Sequence, residues 1–248
     1  MPITVADNSG VPRDDVSRTH VLAIVAARNE SQRIAATLSG LARAFPDASV
    51  WVADDGSADG TAEIAERAGA RVVRDARGPG KGQAMTAAAT AALETVPDRG
   101  DPIVVLCDGD LGSCASELAA LVDAVDRGDA DLLVAAFSTR ASGGFGIALA
   151  FARWAIRRRC GLSTRAPLSG QRAMRAGVLR DVLPFAPDYG MEIAMTIDAV
   201  RAGHRILEVP LELSHRPTGR TPAGFAHRGR QLVDCVRVYL RRGWAQRG

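Results

Sequence analysis

Tyrosine, histidine and cysteine are scarce in this chain of 248 residues, at two, four and four copies. The cysteines, Cys107, Cys114, Cys160 and Cys235, are widely spread and form no CxxC pair, which argues against a zinc framework. They read as reduced, mostly buried thiols. No apolar run reaches the roughly 18–20 residues that a bilayer span needs. The opening stretch, MPITVADNSGVPRDDVSRTH, has no basic start followed by an apolar core, so it does not read as a secretory signal. A large excess of one charge is also missing. The net charge of +3 is too small to call for a nucleic-acid partner. The expectation is a cytoplasmic protein, either free or peripheral at the inner membrane face.

Two nucleotide motifs are absent as well. No GxGxxG follows the first β-type run, which argues against a dinucleotide dehydrogenase. Arg77-Gly78-Pro79-Gly80-Lys81-Gly82 is Gly-rich, but it lacks P-loop spacing and no Ser or Thr follows its lysine.

What is present suits one soluble domain. Hydrophobic residues make up 47% and charged residues 24%, ordinary values for a globular chain long enough to bury a core without staples. Residues 1–18 are polar and aperiodic, and read as a flexible arm. Short β-type runs then alternate with helical ones. Strands are expected at His20–Ala26, Val50–Ala53, Arg71–Val73, Ile103–Cys107 and Asp131–Ala136. Helices are expected at Glu30–Phe45, Thr61–Ala68, Lys81–Thr95 and Ser116–Arg127, with Ser57 to Thr61 and Ser113 or Ser116 as helix-start signals. This rhythm implies an α/β fold with a mainly parallel sheet and helices on both faces.

Beyond about residue 140 the rhythm changes. A Gly-rich loop, Ala141–Gly146, precedes an apolar helix, Ile147–Arg159, with a basic end. A short strand at Ser169–Met174 and a helix at Gly190–Arg201 follow. Arg205–Ser214 reads as an edge strand because Pro210 interrupts it. A last amphipathic helix runs from about Ala223 to Leu240. Its arginines, with Arg157–Arg159, make the second half the basic one. Such helices suit an anionic membrane, a core or a homodimer interface.

In open α/β sheets, ligands gather beyond the carboxyl ends of the strands. Three clusters fall there: Ala27-Arg28-Asn29-Glu30, Asp54-Asp55-Gly56-Ser57 and Asp108-Gly109-Asp110. Two carboxylates flanking one glycine after an apolar strand can face one hard cation, Mg²⁺ or Mn²⁺, leaving positions open for diphosphate oxygens. The bland alternative is an Asp-Gly turn with local hydrogen bonds. Lys81, opening a helix after a Gly-rich loop, could meet a phosphate. Glu192 falls in the apolar run GMEIAMTIDA, where burial disfavours an unpaired carboxylate. That suits acid–base work, or a buried ion pair.

Ala26-Ala27-Arg28-Asn29-Glu30, Asp54-Asp55-Gly56-Ser57-Ala58-Asp59-Gly60-Thr61, Asp108-Gly109-Asp110-Leu111 and Ser169-Gly170-Gln171-Arg172 resemble, in order and spacing, the family-two glycosyltransferases of the GT-A fold. The resemblance spans roughly residues 20–216. Two groups are most similar. The polyprenyl-phosphate sugar synthases share Asp108 to Leu111, Ser138-Thr139-Arg140 and Ser169 to Arg172. Glucosyl-3-phosphoglycerate synthase is similar at Pro79 to Gly82, at Pro184 to Ile193 and at His215-Arg216.

That resemblance implies a nucleotide diphosphate sugar as donor, with UDP as carrier. The acceptor would be a phosphate-bearing molecule, a polyprenyl phosphate or a natural-product sugar, and no nucleic acid would be bound. Residues 19–140 would hold the donor and 141–248 the acceptor, within one domain over 19–248. Ala26, Ala27, Arg28, Glu30, Asp54 and Asp55 would line the base and ribose. Asp108, Gly109, Arg140 and Gln171 would meet the donor, with Lys81 and Arg172 offsetting phosphate charge. Asp108, Asp110 and His215 would hold Mg²⁺ or Mn²⁺, and Asp110 and Glu192 would be catalytic. The usual aromatic before Asn-Glu is replaced by Ala26-Ala27-Arg28, so a stack on the base is lost. Other functional classes that fit the fold are a sugar-phosphate nucleotidyltransferase, whose Gly-rich loop after strand one is absent here, and a non-catalytic nucleotide-sugar binding module.

Overall fold

A computed structural model describes residues 20–74, 80–97, 101–137, 146–213 and 232–242. The expected N-terminal arm, Arg77 to Pro79, Arg140, the loop before Gly146, His215 and the start of the last helix lie outside the described residues.

Seven strands form one sheet, in the order β3-β2-β1-β4-β6-β5-β7. They are β1 (Val21–Ala27), β2 (Ser49–Asp54), β3 (Arg71–Arg74), β4 (Ile103–Asp108), β5 (Leu132–Phe137), β6 (Arg172–Arg175) and β7 (Ile206–Leu211). Only β6 runs against its neighbours, pairing antiparallel with β4 and β5. The remaining pairs are parallel, so the mainly parallel sheet expected from the βα rhythm is present. Pro210 sits in β7, an edge strand, where its missing N–H costs no central ladder bond.

Alternation along the strands decides what covers each face. From β1, Val21, Ala23, Val25 and Ala27 point to one side. There they meet Ile34, Leu38 and Leu41 of α1 (Ile34–Ala44) and Leu121 and Val125 of α4 (Ala119–Asp126). Leu22 and Ile24 point to the other side. They are covered by the alanines of α3 (Lys81–Glu94) and by α6 (Ala176–Val182) and α7 (Met191–Arg201). Each Leu or Ile enclosed this way contributes about 2 kcal/mol. Helix α2 (Thr61–Arg67) links β2 to β3. A third cluster joins Ala152 and Ile156 of α5 (Gly146–Cys160) to Ile193 and Ile197 of α7 and to Cys235 and Val238. The last two lie on helix α8, described over 232–242.

Several expected boundaries shift. Helix α1 begins at Ile34 rather than Glu30, because Glu30 is bound at the strand ends: its amide donates to Thr61 Oγ1 at 2.8 Å. The Ser116–Arg127 helix is split into a 3-10 segment, Gly112–Leu118, and α4. Neither Ser113 nor Ser116 caps it; Ser116 Oγ instead donates to Ser113 O at 3.0 Å. Helix α2 likewise has no side-chain cap and starts from Gly60 in the left-handed region. Strand β6 begins at Arg172, not Ser169, and helix α6 was not foreseen. Helix α8 continues to 242, two residues past Leu240.

Candidate active site

Parallel register brings the strand ends together. Ala26 pairs with Ala53 on one side and Asp108 on the other, and Ala27 pairs with Asp54. Main-chain bonds then hold the loops beyond. Gly109 N donates to Ala26 O at 2.8 Å and Asp55 N to Ala27 O at 3.0 Å. The alanines at 26 and 27 thus serve through their carbonyls. A Cβ on Gly109 would stand 3.1 Å from Ala26 O and 3.3 Å from Ala27 Cβ, so a small residue lets β4 pass β1 this closely.

The two aspartates ending β2 have different surroundings. Asp54 is buried; its Oδ1 accepts from Ser57 N at 3.1 Å and its Oδ2 lies 3.5 Å from Arg74 Nε. It braces the turn. Asp55 is partly buried at the strand end, 3.3 Å from Arg28 Nη1, and accepts a hydrogen bond from Gly80 N. Arg28 is exposed. Around them, Asn29 N donates to Ser57 Oγ, Ala58 N donates to Asn29 Oδ1, and Ser31 N donates to Asp59 Oδ2. Thr61 donates to Asp59 through amide and hydroxyl, and the hydroxyl bond contributes most to pulling the Asp59 carboxyl down to about 2. The DDGSADGT string is therefore a bonded turn that ties β1 to β2.

Asp108, half-buried at the end of β4, is held on both oxygens. Lys81 Nζ lies 2.8 Å from Oδ1, and Gln171 Nε2 donates to Oδ2 at 2.7 Å. Lys81 Nζ also lies 3.0 Å from Oε1 of the buried Glu192. A chain Gln171–Asp108–Lys81–Glu192 thus joins β4, the first turn of α3 and the first turn of α7. Burial alone would pull the Lys81 ammonium down. The Asp108 and Glu192 carboxylates outweigh it and push the pKa above the usual range for lysine. Glu30 is raised, first by burial and then by the charges of Asp110 and Asp108. Asp110 therefore shares the negative field with Asp108, and Arg33 Nη1 reaches its carbonyl at 3.4 Å.

Arg172 lies beneath this chain. It is 1% exposed, and its guanidinium donates to Ser169 O, Thr196 Oγ1 and Glu192 O at 3.0–3.1 Å. Burial lowers its pKa to about 10, still cationic near neutrality. It is a strut between β6 and α7 and does not face the cleft.

Sequence reasoning passed over four contributors. A Cβ on Gly170 would stand 2.8 Å from Asp108 Oδ2, so the residue before Gln171 leaves room for the carboxylate. One on Gly82 would collide with Ala186 O, so the glycine lets α3 seat against the 184–188 loop. Thr37 Oγ1 donates to Gly109 O and accepts from Gly112 N, both at 2.8 Å, fixing the Asp108–Asp110 turn. Asp188 stands at the Gly80 rim, raised by burial and by Asp234 and Asp55. The two glycines and Asp188 lie inside quoted motifs and were legible there; a threonine inside a helix carries no such mark.

Residues 22–183 match the model of glycosyl transferase family 2. The chain is similar to undecaprenyl-phosphate mannosyltransferase of Micrococcus luteus, 31% identical over 240 residues, covering 90% of this chain and 96% of the relative. It is also similar to dolichyl-phosphate hexose transferase of Haloferax volcanii, 30% identical over 227 residues, covering 88% and 95%. Among solved structures it resembles glucosyl-3-phosphoglycerate synthase of Mycobacterium tuberculosis in complex with Mn²⁺, UDP-glucose and phosphoglyceric acid. The TM-score is 0.71 at 27% identity, covering 91% of this chain and 80% of that one.

Proposed function

The chain belongs to glycosyl transferase family 2 and is a glycosyltransferase of GT-A fold; from that premise we propose that it moves a sugar from a nucleotide diphosphate sugar, UDP being the carrier, to a phosphate-bearing acceptor. The observation that carries this reading is the end of β4. There Asp108, aligned with Ala26 of β1, presents a carboxylate held by Lys81 and Gln171, with Asp110 two residues on. Of the two sources of phosphate, polyprenyl phosphate is favoured by the lipid-phosphate relatives. A small phosphorylated acceptor is represented by the structural neighbour with phosphoglyceric acid.

The donor set suits Mg²⁺ or Mn²⁺. Asp108 and Asp110 offer carboxylate oxygens, and both charges are felt at Glu30, so a hard cation would relieve their repulsion. Among the described residues no three His, Cys, Asp or Glu side chains form a complete metal site. The remaining positions would fall to water, to diphosphate oxygens and to His215, as the resemblance implies. When bound, the ion supplies Lewis-acid stabilisation of the departing diphosphate.

The protein's own groups do the rest. Lys81 brings a fixed positive charge to the donor phosphates. Gln171 orients Asp108, and Arg172 holds Ser169, Thr196 and Glu192 in place beneath it. Arg28 and Asp55 form the rim for the nucleoside. A phosphate acceptor is already anionic and needs little help from a base, whereas a hydroxyl acceptor would use Glu192 to take its proton. Residues 19–140 would serve the donor and 141–248 the acceptor.

The test is product analysis with labelled UDP- and GDP-sugars, offered in turn polyprenyl phosphate and phosphoglyceric acid. Label appearing in one phosphate acceptor supports the reading and names the source. Donor binding with no transfer to any acceptor would leave a binding module instead.

A further inference from the structure

Five large hydrophobic side chains stand exposed among the described residues: Ile147, Trp154, Leu207, Val233 and Leu240. Four of them lie on α5 and α8. Ile147 and Trp154 are seven residues apart, as are Val233 and Leu240, so each pair shares one face of its helix. The two helices touch through aromatic rings beside these faces. Trp154 rests on Tyr239 with ring centres 4.8 Å apart and on Phe151 at 5.5 Å, and Arg159 stacks on Tyr239 at 3.8 Å. Ile147 is 76% exposed, Trp154 50% and Leu240 54%, although the other sides of both helices are buried against α7.

We propose that this α5–α8 face docks on an anionic lipid surface. Its charge selects that occupant. Helix α5 carries four arginines and no acidic residue, and Arg157 and Arg158 are exposed. On α8, Arg237 and Arg241 are exposed, and the one acidic residue described there, Asp234, is 12% exposed and bridged by Arg237. An apolar ridge with an indole at its crest and guanidinium groups beside it matches a headgroup layer: the ridge enters the acyl boundary and the cations meet lipid phosphates. A second copy of the chain fits worse, since an isologous pairing would set these arginines against themselves. The inference stands on exposure and charge. Its role in bringing the protein to its acceptor rests on the polyprenyl-phosphate reading above.

The experiment is flotation of the full chain with vesicles of phosphatidylcholine alone and of phosphatidylcholine with phosphatidylglycerol. Binding is expected only to the anionic vesicles, released by salt. It should be lost in Trp154→Glu and reduced about fivefold for each of Arg157→Gln and Arg158→Gln, with metal-dependent nucleotide binding unchanged in all three. Equal binding to neutral vesicles, no binding by the wild type, or variants that float like the wild type would overturn the proposal. So would light scattering, without vesicles, of a dimer that Trp154→Glu dissolves. Flotation needs neither donor nor turnover, so a failed lipid surface and a failed glycosyl-transfer reading give separate results.

Discussion

Lys81 Nζ sits 2.8 Å from Asp108 Oδ1, an ion pair at the end of β4. The same ammonium neutralises Glu192, whose side chain is far more buried than that of Asp108, at 7% against 33% exposure. Removing the lysine therefore strips the buried Glu192 carboxylate of this ammonium, while Asp108 keeps the Gln171 amide on its other oxygen.

Lys81→Met should lower stability by about 2 kcal/mol, since breaking an enclosed pair costs about 3–5 kcal/mol and solvent at Asp108 reduces that. Adding Glu192→Gln should recover part of the loss by removing the orphan charge. Urea unfolding of both singles and the double variant checks this; additive losses would show that the two side chains are not coupled.

Gly170→Ala places a methyl 2.8 Å from Asp108 Oδ2, and the carboxylate must move. Displacement of a positioning group by about 1 Å costs roughly 100-fold in rate. The expected outcome is a large fall in turnover with little change in urea midpoint, because Asp108 lies at the open end of β4. A variant with wild-type kcat would show that the position of Asp108 is immaterial.

Arg172→Lys is expected to behave as a severe change. A lysine cannot reach Ser169 O, Thr196 Oγ1 and Glu192 O together, as the guanidinium fork does, and buried acceptors are left unpaired at about 1–3 kcal/mol each. The variant should unfold at clearly lower denaturant. Near-normal stability would mean that the strut is dispensable.

Glu30 yields a pH signature. Its carboxyl is raised in the fold by burial and by Asp110 and Asp108, so the folded state binds the proton more tightly than the unfolded chain does. Its contribution is therefore most favourable at acid pH and is lost as pH rises through the raised value. Glu30→Gln should raise the melting temperature at about pH 8, and the gain should shrink below about pH 4. An equal gain at both pH values would contradict this electrostatic cause.

Much of this was legible from the residues. The short apolar run of β1, with the other β-type runs and the helical segments between them, pointed to the sheet and its two covered faces. The rule of strand ends gathered Ala27, Asp54 and Asp108 before any coordinates. What the sequence hid is which member of a pair is the more deeply buried. Asp54 and Asp55 are chemically identical neighbours, and only strand alternation sets one beside Arg74 and the other beside Gly80. The resemblance implies a phosphate role for Arg172; two of its three protein acceptors lie on the distant α7 and leave no local pattern. The split of the helix before α4 was hidden for a similar reason, since the seryl groups there bond locally instead of capping.

The most direct measurement is thermal unfolding with UDP, with and without Mn²⁺, for wild type and Asp110→Ala. At about 100 times Kd a bound ligand adds about 2.7 kcal/mol, worth roughly 5–10 °C for a chain of this size. The expected result is that UDP and Mn²⁺ together raise the wild-type melting temperature by that order, that neither does so alone, and that the joint effect vanishes in Asp110→Ala. The same rise in Asp110→Ala, or a full rise with UDP in chelator, would contradict a cation held between the β4 carboxylates and the donor diphosphate.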